Sequence, residues 1–146
     1  MLDRLLRLLE GRQTPAMPSQ DDMRFAVAAL LVEAARMDET FSESERAMIA
    51  TLLAKRFGLS DQDVSTLMER AGKNIGGPTE YFRLTHSINL AMSPKDRAEV
   101  IEMLWRVAYA DGVLDGREIQ LIRQIAGLID VTDQERMLAR KRALEG

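Results

Sequence analysis

Residues 108–118 read Ala-Tyr-Ala-Asp111-Gly112-Val-Leu-Asp115-Gly-Arg-Glu118, and residues 35–45 read Ala-Arg-Met-Asp38-Glu-Thr-Phe-Ser42-Glu-Ser-Glu45. Each stretch closes an apolar run, turns a corner and opens a segment of helical spacing. Each carries an Asp at the corner and a Glu seven residues further on. Asp111-Gly112 is a turn pair. Ser42 and Glu45 form a capping box, in which the hydroxyl accepts a backbone N–H of the first helical turn and the carboxylate accepts that of the cap residue. Asp115 and Glu118 stand in the same relation to the second helix.

The two stretches are copies in register. Shifted by 73 residues, Ala35 falls on Ala108, Asp38 on Asp111, Glu45 on Glu118, Met48 on Leu121 and Ile49 on Ile122. With one residue's adjustment, Leu59-Ser-Asp-Gln62 falls on Val131-Thr-Asp-Gln134. The repeating unit is an apolar helix, an acidic corner, a capped helix, a short turn and a second capped helix. Two such units can pack about a pseudo-two-fold axis, with the apolar helices at 22–37 and 95–110 in the middle.

Working outward, every segment has helical punctuation. Phe25-Ala-Val-Ala-Ala-Leu-Leu-Val32 is apolar nearly all round, so its helix belongs in the centre. Asp21 or Asp22 starts it, and Met37 ends it. The helix from Ser42 stops at Gly58, the next runs from Ser60 to about Gly72, and Lys73–Pro78 reads as a loop. A further helix covers roughly Thr79–Ala91. Ser93-Pro94 then opens the second central helix, through Val100-Ile-Glu-Met-Leu-Trp105. Asp115 and Thr132 cap the last two, ending near Ile129 and in the basic run Arg140-Lys-Arg142. No stretch alternates with period two, so the fold class is all-α: a single bundle of about seven helices with an internal duplication, plus a short N-terminal helix.

That N-terminal helix is Met1–Glu10, with Leu2, Leu5, Leu6 and Leu9 on one face. Its role is to dock on the domain or on a second copy of the chain. Gly11–Gln20 is a linker holding Pro15 and Pro18. The division is therefore 1–20 for helix and linker, and 21–146 for the helical domain.

The bulk numbers narrow the chemistry. The chain has 146 residues, 46% hydrophobic and 29% charged, which suits one domain with a real core. With no cysteine, there are no disulfides, thiolate metal sites or thiol nucleophiles. A net charge of -3 gives no general pull towards nucleic acid or an anionic membrane. Nothing reads as a transmembrane span or a signal peptide, so the expected location is the cytoplasm. His86 is the one histidine, which rules out two-histidine metal motifs. It reads as a partly buried helix residue rather than a general base. Gly76-Gly77-Pro78 lacks the Lys-Ser/Thr of a phosphate loop. Trp105 and Tyr109 lie one turn apart and read as core.

The corners admit two readings. An Asp at a helix C-terminus faces the negative end of the helix dipole, which a cation would offset. Carboxylates and freed carbonyls are the oxygen ligands that Ca²⁺ and Mg²⁺ prefer. On that reading Asp38, Glu45, Asp111 and Glu118 are the ligands, with Glu39 and Asp115 able to add oxygens. On the other, all of them are caps and turn residues. An EF-hand is excluded, because Val113 and Ile122 stand where that loop needs oxygen.

At these two corner stretches, with their following Leu-Ser and Val-Thr turns, the sequence resembles the tellurite-resistance protein B (TerB-like) family. That family includes the N-terminal domain of a membrane-anchored DnaJ-type co-chaperone. The resemblance covers about residues 21–143; Glu39 departs from it, standing where a Gly would strengthen the match. It implies an all-helical duplicated domain with acidic corners that chelate a divalent cation, and Asp38, Glu45, Asp111 and Glu118 are the matching positions. It also implies tellurite resistance, chemical stress response and membrane-associated complexes. The expected function is a non-enzymatic, cation-binding interaction module with a protein partner or a second copy as its mate. The alternative is a metal-free scaffold or dimerisation protein that uses the N-terminal Leu helix and the basic C-terminal helix. A metal-dependent phosphoesterase lacks a nucleophile, a histidine pair and a phosphate cradle here.

Overall fold

Ser19, Ser42, Ser93, Asp115 and Thr132 each sit in extended backbone just ahead of a helix, and each side chain accepts an N–H from the first turn. Ser60 does the same for Asp63 at 3.2 Å. Each such cap contributes about 1 kcal/mol. The computed structural model describes residues 18–37, 41–73 and 77–146. Among them run seven helices: α1 Gln20–Arg36, α2 Glu43–Phe57, α3 Asp61–Lys73, α4 Gly77–Ala91, α5 Pro94–Ala108, α6 Gly116–Leu128 and α7 Asp133–Glu145. No strand occurs among the described residues. The expected N-terminal helix lies outside them.

Two boundaries differ from the sequence reading. α1 starts at Gln20, because Ser19 is the cap and Asp22 returns a bond to its backbone N–H at 3.1 Å. α4 starts at Gly77, inside the stretch expected to be a loop. Pro78 is no obstacle there, since a first-turn N–H has no intrahelical acceptor anyway.

The apolar helices α1 and α5 are central, as their composition requires. α1 packs on α2, α3, α4, α5 and α6, while α5 packs on α1, α2, α6 and α7. Along α1, Ala26–Val32, Ala34 and Ala35 are buried; along α5, so are Val100, Ile101, Met103–Trp105, Val107 and Ala108. The partners repeat in the two halves: α1 with α2 and α3, α5 with α6 and α7. Ile49 of α2 and its counterpart Ile122 of α6 are both fully buried. The turns correspond as well. Gly58 has φ 63° and Asp130 φ 58°. The Leu59 N–H reaches the Ala54 carbonyl at 3.1 Å, and that of Val131 reaches Ala126 at 2.9 Å. Glycine enters this left-handed region without strain, and Asp is among the side chains that tolerate it.

Among the described residues, two features break the symmetry. α4 lies against α1 and α6. The Tyr81 hydroxyl donates to Glu33 at 2.5 Å, and the Asn89 amide donates to the Leu128 carbonyl at 2.7 Å. On α7, the Arg140 guanidinium sits 5.1 Å from the Trp105 ring centre and donates to the Tyr109 hydroxyl at 2.6 Å. Arg142 donates to Glu102 at 2.7 Å. Much of the basic run thus pins α7 to α5.

Candidate functional site

The second corner begins where α5 runs out. The Ala110 N–H bonds the Val107 carbonyl at 3.1 Å, and the Gly112 N–H bonds Tyr109 at 3.0 Å. Gly112 takes φ 79°, which a side chain would strain. Asp111 is half-buried, and its Oδ1 accepts the Val113 N–H at 3.0 Å. This local bond lets an anion sit at the negative end of α5. Asp115 caps α6, taking the Arg117 N–H at 2.7 Å and its guanidinium at 3.2 Å. Three residues into the corner helix, Glu118 is fully buried.

The first corner is described from Phe41 onward. Asp38 lies outside the described residues, as does Glu39. Ser42 and Glu45 make the expected capping box: the Glu45 N–H reaches Ser42 Oγ at 3.1 Å, and Glu45 Oε1 accepts the Ser42 N–H at 3.2 Å. Glu45 is 1% exposed and Glu118 is 0% exposed. No other acid in the described chain is buried to that degree. An N3 glutamate can cap from the surface, as Glu135 does while half-buried on α7. Capping therefore does not account for the depth of Glu45 and Glu118. Sinking a carboxylate costs several kcal/mol unless its charge is compensated, and both are engaged by neighbouring groups.

Of the four expected ligands, then, Glu45 and Glu118 occupy matching buried positions, and Asp111 lies on the corner turn. Among the described residues no three Asp, Glu or His side chains converge to hold a metal. Asp115, named as a spare ligand, is occupied by Arg117. The donor chemistry suits a hard cation, while the ready-made geometry shown is that of caps.

The model of tellurite resistance protein TerB matches residues 24–141. The chain belongs to the TerB family. The TerB match takes in both corners and all the central packing, and it stops short of residues 1–23. Neither a curated protein nor a solved structure matches the chain. No helix among the described residues of this TerB domain is long and apolar enough to cross a membrane.

His86 is exposed rather than partly buried. The inward stripe of α4 is Leu84, Thr85 and Ile88, and position 86 falls on the outer face, stacked on Phe82 with ring centres 6.1 Å apart. The sequence reading also missed the Tyr81–Glu33 pair. Its signal was Glu33 itself, a lone acid following an unbroken apolar run.

The caps carry a pH dependence. The Arg117 side chain and N–H hold the Asp115 carboxyl below its ordinary 3.8. The Thr132 hydroxyl and N–H hold Glu135 below 4.5. In both cases the unfolded chain takes up the proton first. The stabilisation is complete above those ordinary values and is lost as pH falls through the lowered ones. Acid titration of the melting temperature should show this loss below pH 4.5, and Thr132→Ala should flatten the Glu135 part of it.

Proposed function

We propose that this TerB domain is a non-enzymatic, cation-responsive interaction module of a tellurite or chemical stress response, working in the cytoplasm with a protein partner. One observation carries the reading: the duplicated corner helices each bury a glutamate at the same position, 1% and 0% exposed, and Asp111 sits on the turn before the second. Carboxylates in two related places are the oxygen donors that a hard cation such as Ca²⁺ or Mg²⁺ prefers. Asp111, Glu118 and Glu45 would supply oxygens, with Asp38 as the match at the first corner. Contact with the turn after α5 would tie the ion to the faces around it. A binding role fits the polar side chains, which serve as caps and helix-to-helix ties: Arg56 to Asp96 at 3.1 Å and Arg142 to Glu102 at 2.7 Å.

The engagement of Asp115 by Arg117 favours a second reading, the metal-free scaffold. Thermal unfolding after chelation separates the two. An ion that binds only the folded chain at a hundred times its Kd adds about 2.7 kcal/mol, and at this size that raises the melting temperature by roughly 5–10 °C. Asp111→Asn with Glu118→Gln should abolish the rise. A melting temperature indifferent to millimolar Ca²⁺, Mg²⁺ and Mn²⁺ leaves the scaffold.

A further inference from the structure

Among the described residues, the duplication leaves one seat unfilled. α4 precedes the second unit and lies across the first unit's central helix, α1, and the second unit's corner helix, α6. The pseudo-two-fold axis exchanges α1 with α5 and α6 with α2. A helix preceding the first unit would therefore lie across α5 and α2. An open groove of about 430 Å³ runs there, with Met48, Leu52 and Met103 among its apolar lining.

The correspondence holds residue by residue. Glu33, which α4 grips through Tyr81, falls on Arg106 of the groove. Leu121 and Gln124, which line the cleft beside Tyr81, fall on Met48 and Thr51 of the groove. Exposure differs as a vacant seat requires. Leu121 and Ile125 are 5% and 1% exposed, while their counterparts Met48 and Leu52 are only half-buried.

We propose that this groove is the seat of the chain's own residues 2–9, which dock across α2 and α5 as the counterpart of α4. The segment carries Leu2, Leu5, Leu6 and Leu9 at i, i+3, i+4, i+7 spacing, one apolar stripe for one groove. Two methionines in the lining can adapt to leucine side chains. The groove is bordered by both charge signs, Glu99 and Glu102 with Lys55 and Arg106, and the segment's Arg4, Arg7 and Asp3 suit such a rim.

The reach is short. Arg24, in the first turns of α1, lies 5.9 Å from the Phe57 ring centre, and so does Arg56, which borders the groove. The tether of residues 10–19 spans up to ~33 Å, so the segment reaches its own groove without a second chain.

Methyl-resolved NMR on the full chain tests it. Cross-peaks between leucine methyls of residues 2–9 and those of Met48, Leu52 or Met103 are expected within one molecule. Amides 5–9 should exchange at least ~10-fold more slowly than an unstructured chain. Thr51→Glu, a change at an exposed position on the rim, should reduce that protection while leaving unfolding cooperative. Absence of these cross-peaks overturns the proposal. Cross-peaks seen only between differently labelled molecules overturn it too, in favour of a dimer.

Discussion

Trp105→Ala should lower stability by about 3–5 kcal/mol, the range for removing a large aromatic from a core. Trp105 is 1% exposed on the central helix α5. Its ring stacks with Tyr109 at 6.1 Å and carries the Arg140 guanidinium at 5.1 Å. Truncation opens a cavity in the middle of the second unit and removes the surface on which α7 sits. A domain of this kind holds only about 5–15 kcal/mol in total. The melting temperature should drop by roughly 10–15 °C. Arg140→Ala, which keeps the ring and loses only the cation and its bond to Tyr109, should cost about 1–2 kcal/mol. Chemical denaturation of both variants checks the ranking. Near-equal losses would mean that the arginine, and not the buried ring, holds α7 in place.

Ile49→Ala and Ile122→Ala form a matched pair. The two residues occupy the same position in the two corner helices, and both are 0% exposed. If the halves are copies in packing as well as in sequence, each substitution removes the same atoms from equivalent surroundings. Each should cost about 2–5 kcal/mol. Thr51→Ala, on the exposed side of the same helix, should stay within about 0.5 kcal/mol. Urea unfolding of the three variants decides. A loss under about 1 kcal/mol at one isoleucine and a full loss at the other would show that the repeat does not extend to the core.

Much of the fold was legible because helices announce their ends. Ser42 with Glu45, Ser93-Pro94 and Gly58 fixed boundaries by local hydrogen bonding, and such bonds depend little on the rest of the chain. The all-round apolar character of Phe25–Val32 located the centre, since only burial on every side suits it. α4 was harder. Its first turn lies at Gly77-Pro78, residues that punctuate loops as often as they open helices. His86 was misplaced because its neighbours Leu84, Ile88 and Leu90 are apolar, yet face is set by the 3.6-residue period and not by adjacency. The first corner was legible as the Ser42–Glu45 box, and the second as an Asp115 cap, though Asp115 takes the N–H of Arg117. That Glu45 and Glu118 are sunk completely was not, because an N3 glutamate serves a cap equally well in water. Nor did the sequence disclose the groove across α2 and α5, which stands out only once α4 is seen lying on the opposite unit.

The paired acidic corners are the centre of the functional account, and amide-resolved NMR titration addresses them most directly. Add Ca²⁺ or Mg²⁺ to the chelated full chain and follow the backbone N–H signals of Ser42, Glu45, Val113 and Glu118. The account predicts saturable shifts concentrated at these two turns, reduced at the second by Asp111→Asn. Signals that stay still through millimolar ion, or small shifts spread evenly over the acidic surface, would contradict it.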